Sequence, residues 1–201
     1  NLPEDEFNHP ASTWLKEFLT GGVQQLVLNS LKIRSPSPSW QGTRFKPDGS
    51  NLPWVISSLE ENAPDRLSEW VGHLQTALAD LQGVRTVVRP EDRFRYLKLK
   101  YSQGPDIPSW LASDGTLRLL ALTLPAYLEK LEGVLLVEEP ENGIHPLAVE
   151  TMYQSLSSVY DAQVLATTHS SVILGAADPE CVLCFAKTPE GAASIVAGKE
   201  H

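Results

Sequence analysis

The chain has 201 residues, with 16 Lys and Arg against 25 Asp and Glu, for a net charge of −9. That length holds one large domain or two small ones, with enough core to need no disulfide staples. The acidic balance argues against a chain-wide role in nonspecific nucleic-acid binding, and no apolar run approaches the roughly 20 residues of a membrane span.

No signal peptide is visible and the first residue is Asn, so the chain reads as a processed or excised piece of something longer. Residues 1–10, acidic and Pro-containing, read as a loose start. From 12 to 31, Trp14, Leu15, Phe18, Leu19, Val23, Leu26, Val27 and Leu28 predict a helix followed by a second helix or a strand, interrupted at Gly21-Gly22. Prolines and glycines over 34–50 predict loop. Ser50 or Asn51 can cap a helix through Trp54, Val55, Ile56 and Leu59. Asp65 opens a longer one, with Leu67, Trp70, Val71, Leu74, Leu78 and Leu81 at helical spacing and Gly83 at its end. Two strands follow, 84–89 and 94–101. In the second, Phe94, Tyr96, Lys98 and Lys100 share one face, while Arg95, Leu97, Leu99 and Tyr101 share the other and are the better core candidates. The first face reads as a solvated edge strand; a nucleic-acid surface is the alternative.

From Ser113 onward helices and strands alternate: helix 114–131, strand 133–138, helix 145–160, strand 162–167, short helix 170–176, strand 180–187 and a further segment at 193–197. Pro125 implies a kink or break in the first of these helices. The alternation argues for an α/β fold with a mostly parallel sheet. Cys181 and Cys184 are spaced C-x-x-C, which half-matches a zinc site or a redox pair. Glu-Cys-Val-Leu-Cys-Phe-Ala reads as a strand, however, on which positions three apart point to opposite faces, and no second Cys or His pair lies nearby. Two reduced cysteines suit the cytoplasm.

Three constellations carry chemistry. Ser113 and Asp114 can cap a helix with Leu117, Leu120, Leu124, Leu128 and Leu131 on one face. Gly115 lets a ligand approach the backbone there, and exposed N–H groups with the helix dipole favour an anion. The second is the run Val134–Val137, which reads as a strand dry on both faces and ends in Glu138-Glu139 before Pro140. Two adjacent acids there suit a metal and a proton acceptor better than packing. His145-Pro146 then opens a helix, with Pro at its first position. The third is a strand ending in Thr167-Thr168-His169, whose end converges with the last on one crevice.

Taken together, the three segments resemble the C-terminal half of an ABC-type P-loop ATPase of the RecF/SMC-like and OLD-like branch, often described simply as AAA family ATPases. Leu111 to Leu122 resemble the signature motif, Val134 to Pro140 the Walker B strand, Asn142 to Pro146 the D-loop and Thr167 to Ser170 the switch-histidine loop. Asp48 to Pro53 resemble a segment that precedes the signature helix. Glu138 stands where most ABC proteins carry Asp. The resemblance covers about 105–187 strongly and 30–104 more faintly. It implies a P-loop NTPase fold whose sheet is flanked by helices, with an added helical and antiparallel segment before the signature. It divides the chain into 1–104, part of the ATPase lobe, and 105–201, the C-terminal lobe.

The same resemblance implies ATP and Mg²⁺ as cofactors. Glu138 would hold Mg²⁺ through water, Glu139 would act as base on the attacking water, and His169 would sense the γ-phosphate. Ser113, Asp114, Gly115 and Thr116, with Asn142 and His145, would face nucleotide across a homodimer. No G-x-x-x-x-G-K-[S/T] is present: at the lone Gly-Lys pair, Gly198-Lys199, Glu200 follows, and Ala193 stands where the first Gly belongs. The Q-loop glutamine is not identifiable among Gln24, Gln25 and Gln41. The expectation is therefore an ATPase whose Walker A segment lies N-terminal to these residues. Alone, this piece is expected to be inactive. The pathway expected is DNA repair or phage or plasmid defence, with DNA or a nuclease or effector as partner and no membrane. A catalytically inactive interaction module with the same fold is the alternative. A nuclease using Glu138, Glu139 and Glu141 as its own metal site is a third reading.

Overall fold

The computed structural model describes residues 9–129 and 131–200, so the reading of residues 1–8 as a loose start lies outside them. Helix α1 (Pro10–Glu17) begins on a proline, whose missing N–H costs nothing in the first turn. It runs into a π turn at Phe18–Gly22, and β1 (Val23–Leu26) follows directly, so the 12–31 stretch is helix then strand. A short helix α2 (Ser30–Arg34) is capped by Asn29, whose side-chain oxygen accepts from the N–H groups of Leu31 and Lys32. Asn51 stands at the N-cap position of α3 (Leu52–Asn62) without capping it. Its side chain instead holds the preceding loop, accepting from Lys46 N–H and donating to the carbonyls of Gly42 and Arg44.

Helix α4 (Pro64–Leu74) is shorter than its apolar spacing predicts. The Thr76 hydroxyl donates to the His73 carbonyl at 2.7 Å and the Gln75 amide donates to the Leu81 carbonyl at 2.7 Å. Both bonds favour a turn over further helix. Leu81 and Gly83 belong to β2 (Leu81–Val88), which pairs antiparallel with β3 (Arg95–Tyr101), itself paired with β4 (Ile107–Pro108). Leu97 and Leu99 are fully buried, as the period of two predicts.

The helix predicted for 114–131 is α5 (Asp114–Thr123) and ends in a 3₁₀ turn at Leu124–Tyr127, where Pro125 breaks it. Then come β5 (Gly133–Glu138), α6 (Pro146–Ser157), β6 (Ala162–Thr167) and α7 (Ser171–Ala176). The chain ends in β7 (Leu183–Lys187) and β8 (Ala193–Ala197). Cys181 lies in a 3₁₀ turn at Pro179–Cys181 and only Cys184 is on a strand, so the opposite-faces argument for the pair does not hold; both thiols are free.

Strands β1, β5 and β6 form a parallel sheet in that order, with β5 in the middle. β7 does not join it: Thr188 N–H donates to the Ala192 carbonyl at 2.8 Å and folds β7 onto β8 as a hairpin. β5 is dry on one face only. Leu135 and Val137 are buried, whereas Val134 and Leu136 are half-buried.

Helix α5 is the centre of the core. Leu117, Leu119, Leu120 and Leu122 are all at most 1% exposed, so it is buried nearly all round, beyond the single face its spacing predicts. Each such leucine contributes about 1.5–3 kcal/mol by leaving water. Trp70 packs against this helix and donates its indole N–H to the Thr123 hydroxyl at 2.8 Å, which in turn donates to the Leu119 carbonyl. Among the described residues no helix is long and apolar enough to cross a membrane.

Candidate functional site

Parallel pairing sets Glu138 opposite Thr167, so β5 and β6 end level with each other. Residues after such strand ends meet in the crevice outside the sheet. Proline at 140 cannot donate to a ladder and stops β5 there. Between strand and proline, Glu139 takes a left-handed backbone, φ 41°, unusual for a side-chain-bearing residue. Its N–H donates across to the Thr167 carbonyl at 3.0 Å, and to the Thr167 hydroxyl at 3.3 Å, which holds the twist in place.

The Glu139 carboxylate is oriented from two sides. The Asn142 amide donates to it, while Asn142 N–H donates to the Glu139 carbonyl at 2.9 Å. On the other side His169 Nε2 lies 3.7 Å from Glu139 Oε1, with the imidazole 91% exposed. The predicted base and the predicted sensor are therefore neighbours at the mouth of one crevice.

Glu141 fixes the loop that carries the imidazole. One of its oxygens accepts both from the Thr168 hydroxyl at 2.7 Å and from His169 N–H at 3.1 Å. The other oxygen is buried and has no partner among the described residues. Glu138 turns the opposite way and accepts from the Gln25 amide of β1 at 3.2 Å. The three acids thus face three separate sets of partners, and no group of three or more His, Cys, Asp or Glu among the described residues could hold a metal. The nuclease reading expects Glu138, Glu139 and Glu141 to share one metal, whereas here each is bonded to a different partner.

At the N-terminus of α5, Ser113 Oγ accepts from Thr116 N–H at 3.1 Å and pairs with the Thr116 hydroxyl at 2.8 Å. Asp114 is bonded to the Arg34 guanidinium, which also donates to the carbonyls of Trp110 at 3.1 Å and Ala112 at 3.3 Å. Arg34 thereby ties α2 to the loop entering α5. Gly115 touches the turn after β5: a Cβ on it would lie 2.7 Å from the Gly143 carbonyl oxygen. His145 caps α6, its Nδ1 accepting from Leu147 N–H at 3.3 Å. The segment 46–51 lies beside the continuation of β1, where Val27 N–H donates to the Pro47 carbonyl and Asn29 N–H to the Asp48 carbonyl. Burial alone would raise the Asp48 carboxyl, but the Lys32 ammonium at 2.8 Å and the Ser50 N–H hold it down at about 2.

The structure thus gathers Glu139, Asn142 and His169 at one point and sets Gly115 against the same turn through Gly143. Ser113, Asp114 and Thr116 are engaged with each other or with Arg34, and His145 with its own helix. Sequence reasoning could not single out Gln25 from Gln24 and Gln41, missed Arg34, and gave Glu141 no role in holding the loop. Gln25 and Arg34 reach partners 113 and 80 residues away, for which no local pattern exists. Chemically, the cluster offers an aimed carboxylate to accept a proton from water and an imidazole beside it. Glu138 adds a single hard oxygen donor. That sparse donor set suits Mg²⁺, which takes one or two carboxylates and fills its shell with substrate phosphates and water.

Residues 26–175 match the family described as AAA domain, putative AbiEii toxin, Type IV TA system. Among solved structures, the chain is similar to one described under ATP-driven dimerization and DNA-stimulated activation of SMC ATPases. The identity is 14%, with 71% of this chain and 88% of that one covered and a TM-score of 0.51. It is similar to an Smc head bound to the C-winged helix domain of ScpA at 12% identity, over 87% of this chain and 55% of that one, with a TM-score of 0.59. A third similar structure is an Smc head domain with a coiled coil and joint from Pyrococcus yayanosii. The identity is 14%, over 75% of this chain and 29% of that one, with a TM-score of 0.50. In the last two cases the chain spans about half or less of the other's length. None of the curated proteins compared matches. The fold is that of these ATPase heads, a parallel sheet flanked by helices with antiparallel strands beside it.

Proposed function

The chain belongs to the AAA domain family described as putative AbiEii toxin of a Type IV TA system, and from that premise we propose that it supplies the hydrolytic end of an ABC-type ATP site. The observation that carries this reading is the meeting of Glu139, Asn142 and His169 at the level ends of two parallel strands. Glu139 is the base that takes a proton from the attacking water, Asn142 orients its carboxylate, and His169 touches the γ-phosphate. Glu138 would hold Mg²⁺ through water, and Gln25, which donates to it, would position that carboxylate. The ion, when bound, offsets charge on the phosphates. Catalysis of this kind is positioning plus charge stabilisation.

Residues 105–201 form the lobe that carries these motifs, and 1–104 the part of the ATPase lobe that supports it. Gly115 lies against Gly143, so the α5 N-terminus and the turn 142–145 make one surface. In the proposed homodimer that surface faces nucleotide on a second copy, with Ser113, Gly115, Asn142 and His145 as its contacts. The phosphate-binding loop comes from a Walker A segment, whose strand is accommodated at the outer edge of β6. That strand pairs only with β5 among the described residues, and its Leu165 is half-exposed. ATP-driven dimerization and DNA stimulation belong to the SMC proteins above. Carried to this chain, they support a cytoplasmic switch in DNA repair or defence against phage or plasmids, acting with DNA or an effector protein.

The test is hydrolysis by the protein joined to its phosphate-binding segment. Glu139→Gln should keep Mg-ATP binding and lower turnover by about 10²–10⁴-fold, the worth of a placed general base. The 201 residues alone should not turn over ATP. Unchanged hydrolysis in the variant, or Glu139-dependent hydrolysis by the 201 residues alone, would overturn the assignment.

A further inference from the structure

Although the chain is acidic overall, one face is cationic and aromatic. Helices α3 and α4 pack on the antiparallel sheet from the side of Leu97 and Leu99, which are fully buried. Tyr96, Lys98 and Lys100 therefore point to the open side. Register adds Arg85, opposite Lys98, to the same face. The Trp110 ring lies 4.8 Å from that of Tyr96 and stays 43% exposed. At the other end Trp40 meets Phe94 edge-on at 5.8 Å and is 76% exposed, and the Arg89 guanidinium sits 5.5 Å from the Phe94 ring.

Asp106 neutralises Arg85 and Asp92 neutralises Arg89, but Lys98 and Lys100 have no ion pair among the described residues. Over ~20 Å of strand the open rings gather at the Phe94–Tyr96 end and the uncompensated ammonium groups continue the same face at Lys98 and Lys100. Folding gains little from a tryptophan left three-quarters in water. Flat rings take unstacked bases and lysines take phosphates, whereas a duplex keeps its bases out of reach.

We propose that the open face of the β2–β3–β4 sheet binds single-stranded nucleic acid, with Tyr96 and Trp110 as the stacking platform and Lys98 and Lys100 on the phosphates. Trp110 borders the α5 N-terminus, because Arg34 bonds both its carbonyl and Asp114, but the proposed binding needs no nucleotide at Glu139.

The test is fluorescence anisotropy of the full chain with a labelled short oligothymidylate at low ionic strength. A duplex of equal length and a polyglutamate peptide serve as competitors. Binding should weaken with salt by a log–log slope of about −0.7 for each phosphate neutralised. Lys98→Glu with Lys100→Glu should cost more than tenfold and flatten that slope. Tyr96→Ala should cost about tenfold, the worth of one stacked base, while Tyr96→Phe keeps the affinity. All variants should keep the parent circular dichroism. Absence of binding at low salt, affinity indifferent to these substitutions, or a duplex or acidic peptide competing as well as the single strand would each overturn the proposal.

Discussion

Removing the Glu141 carboxylate should loosen the loop that carries His169. In the folded chain one oxygen of Glu141 receives two hydrogen bonds, from the Thr168 hydroxyl at 2.7 Å and His169 N–H at 3.1 Å. Hydrogen bonds to a charged acceptor contribute about 1.5–3 kcal/mol each. Glu141 is half-buried, so the lower end applies, and Glu141→Ala should cost about 2–3 kcal/mol. Glu141→Gln keeps an acceptor of the same shape but loses the charge, and should cost about 1 kcal/mol. For a chain of this size, the alanine variant should melt about 6 °C lower. Urea denaturation measures the global cost, and hydrogen exchange at the His169 amide measures the local one. A cycle with Thr168→Val isolates the hydroxyl–carboxylate coupling, expected near ~1 kcal/mol. If Glu141→Ala stays within about 0.5 kcal/mol of the parent and His169 exchanges no faster, the loop is held by something else.

Gly115→Ala should destabilise by about 1–3 kcal/mol although alanine is the better helix former, because its Cβ would meet the Gly143 carbonyl oxygen at 2.7 Å. Gly72→Ala in α4, where a Cβ meets nothing within 4 Å, should instead stabilise by about 0.4–1 kcal/mol in the same denaturation assay. Asp48→Asn keeps the bond from Ser50 N–H but loses the pairing with Lys32, at a cost near ~1 kcal/mol once solvent screening is allowed for. Because the folded carboxyl is depressed to about 2 from 3.8, that stability is present above pH 3.8 and is lost as pH falls towards 2. Parent and variant should therefore converge in acid and differ at neutrality.

Much of the C-terminal part was legible in the sequence because its strands are short apolar runs between turn residues. β5 and β6 lie at 133–138 and 162–167, as read. Pro125 broke α5 for the reason a proline must. The end of α4 was not legible. Leu78 and Leu81 keep the helical period after the chain has turned, and Leu81 is buried as the first residue of β2 instead. The Thr188-Pro-Glu-Gly191 turn did carry a hairpin signal, which the strand–helix alternation before it obscured. In the site, Glu139 and His169 could be read from motif order, whereas Gln25 and Arg34 could not, since their partners are brought to them only by the completed fold.

The left-handed backbone at Glu139 also has an evolutionary consequence. A side-chain-bearing residue in that region carries about 1–3 kcal/mol of strain, whichever side chain it is. Selection for a sturdier protein would drift this position towards glycine, which suits the twist at no cost. With Glu139 as the proposed base, thermostability and chemistry would compete at this position. Libraries screened for melting temperature alone should therefore lose the acid before they lose the fold.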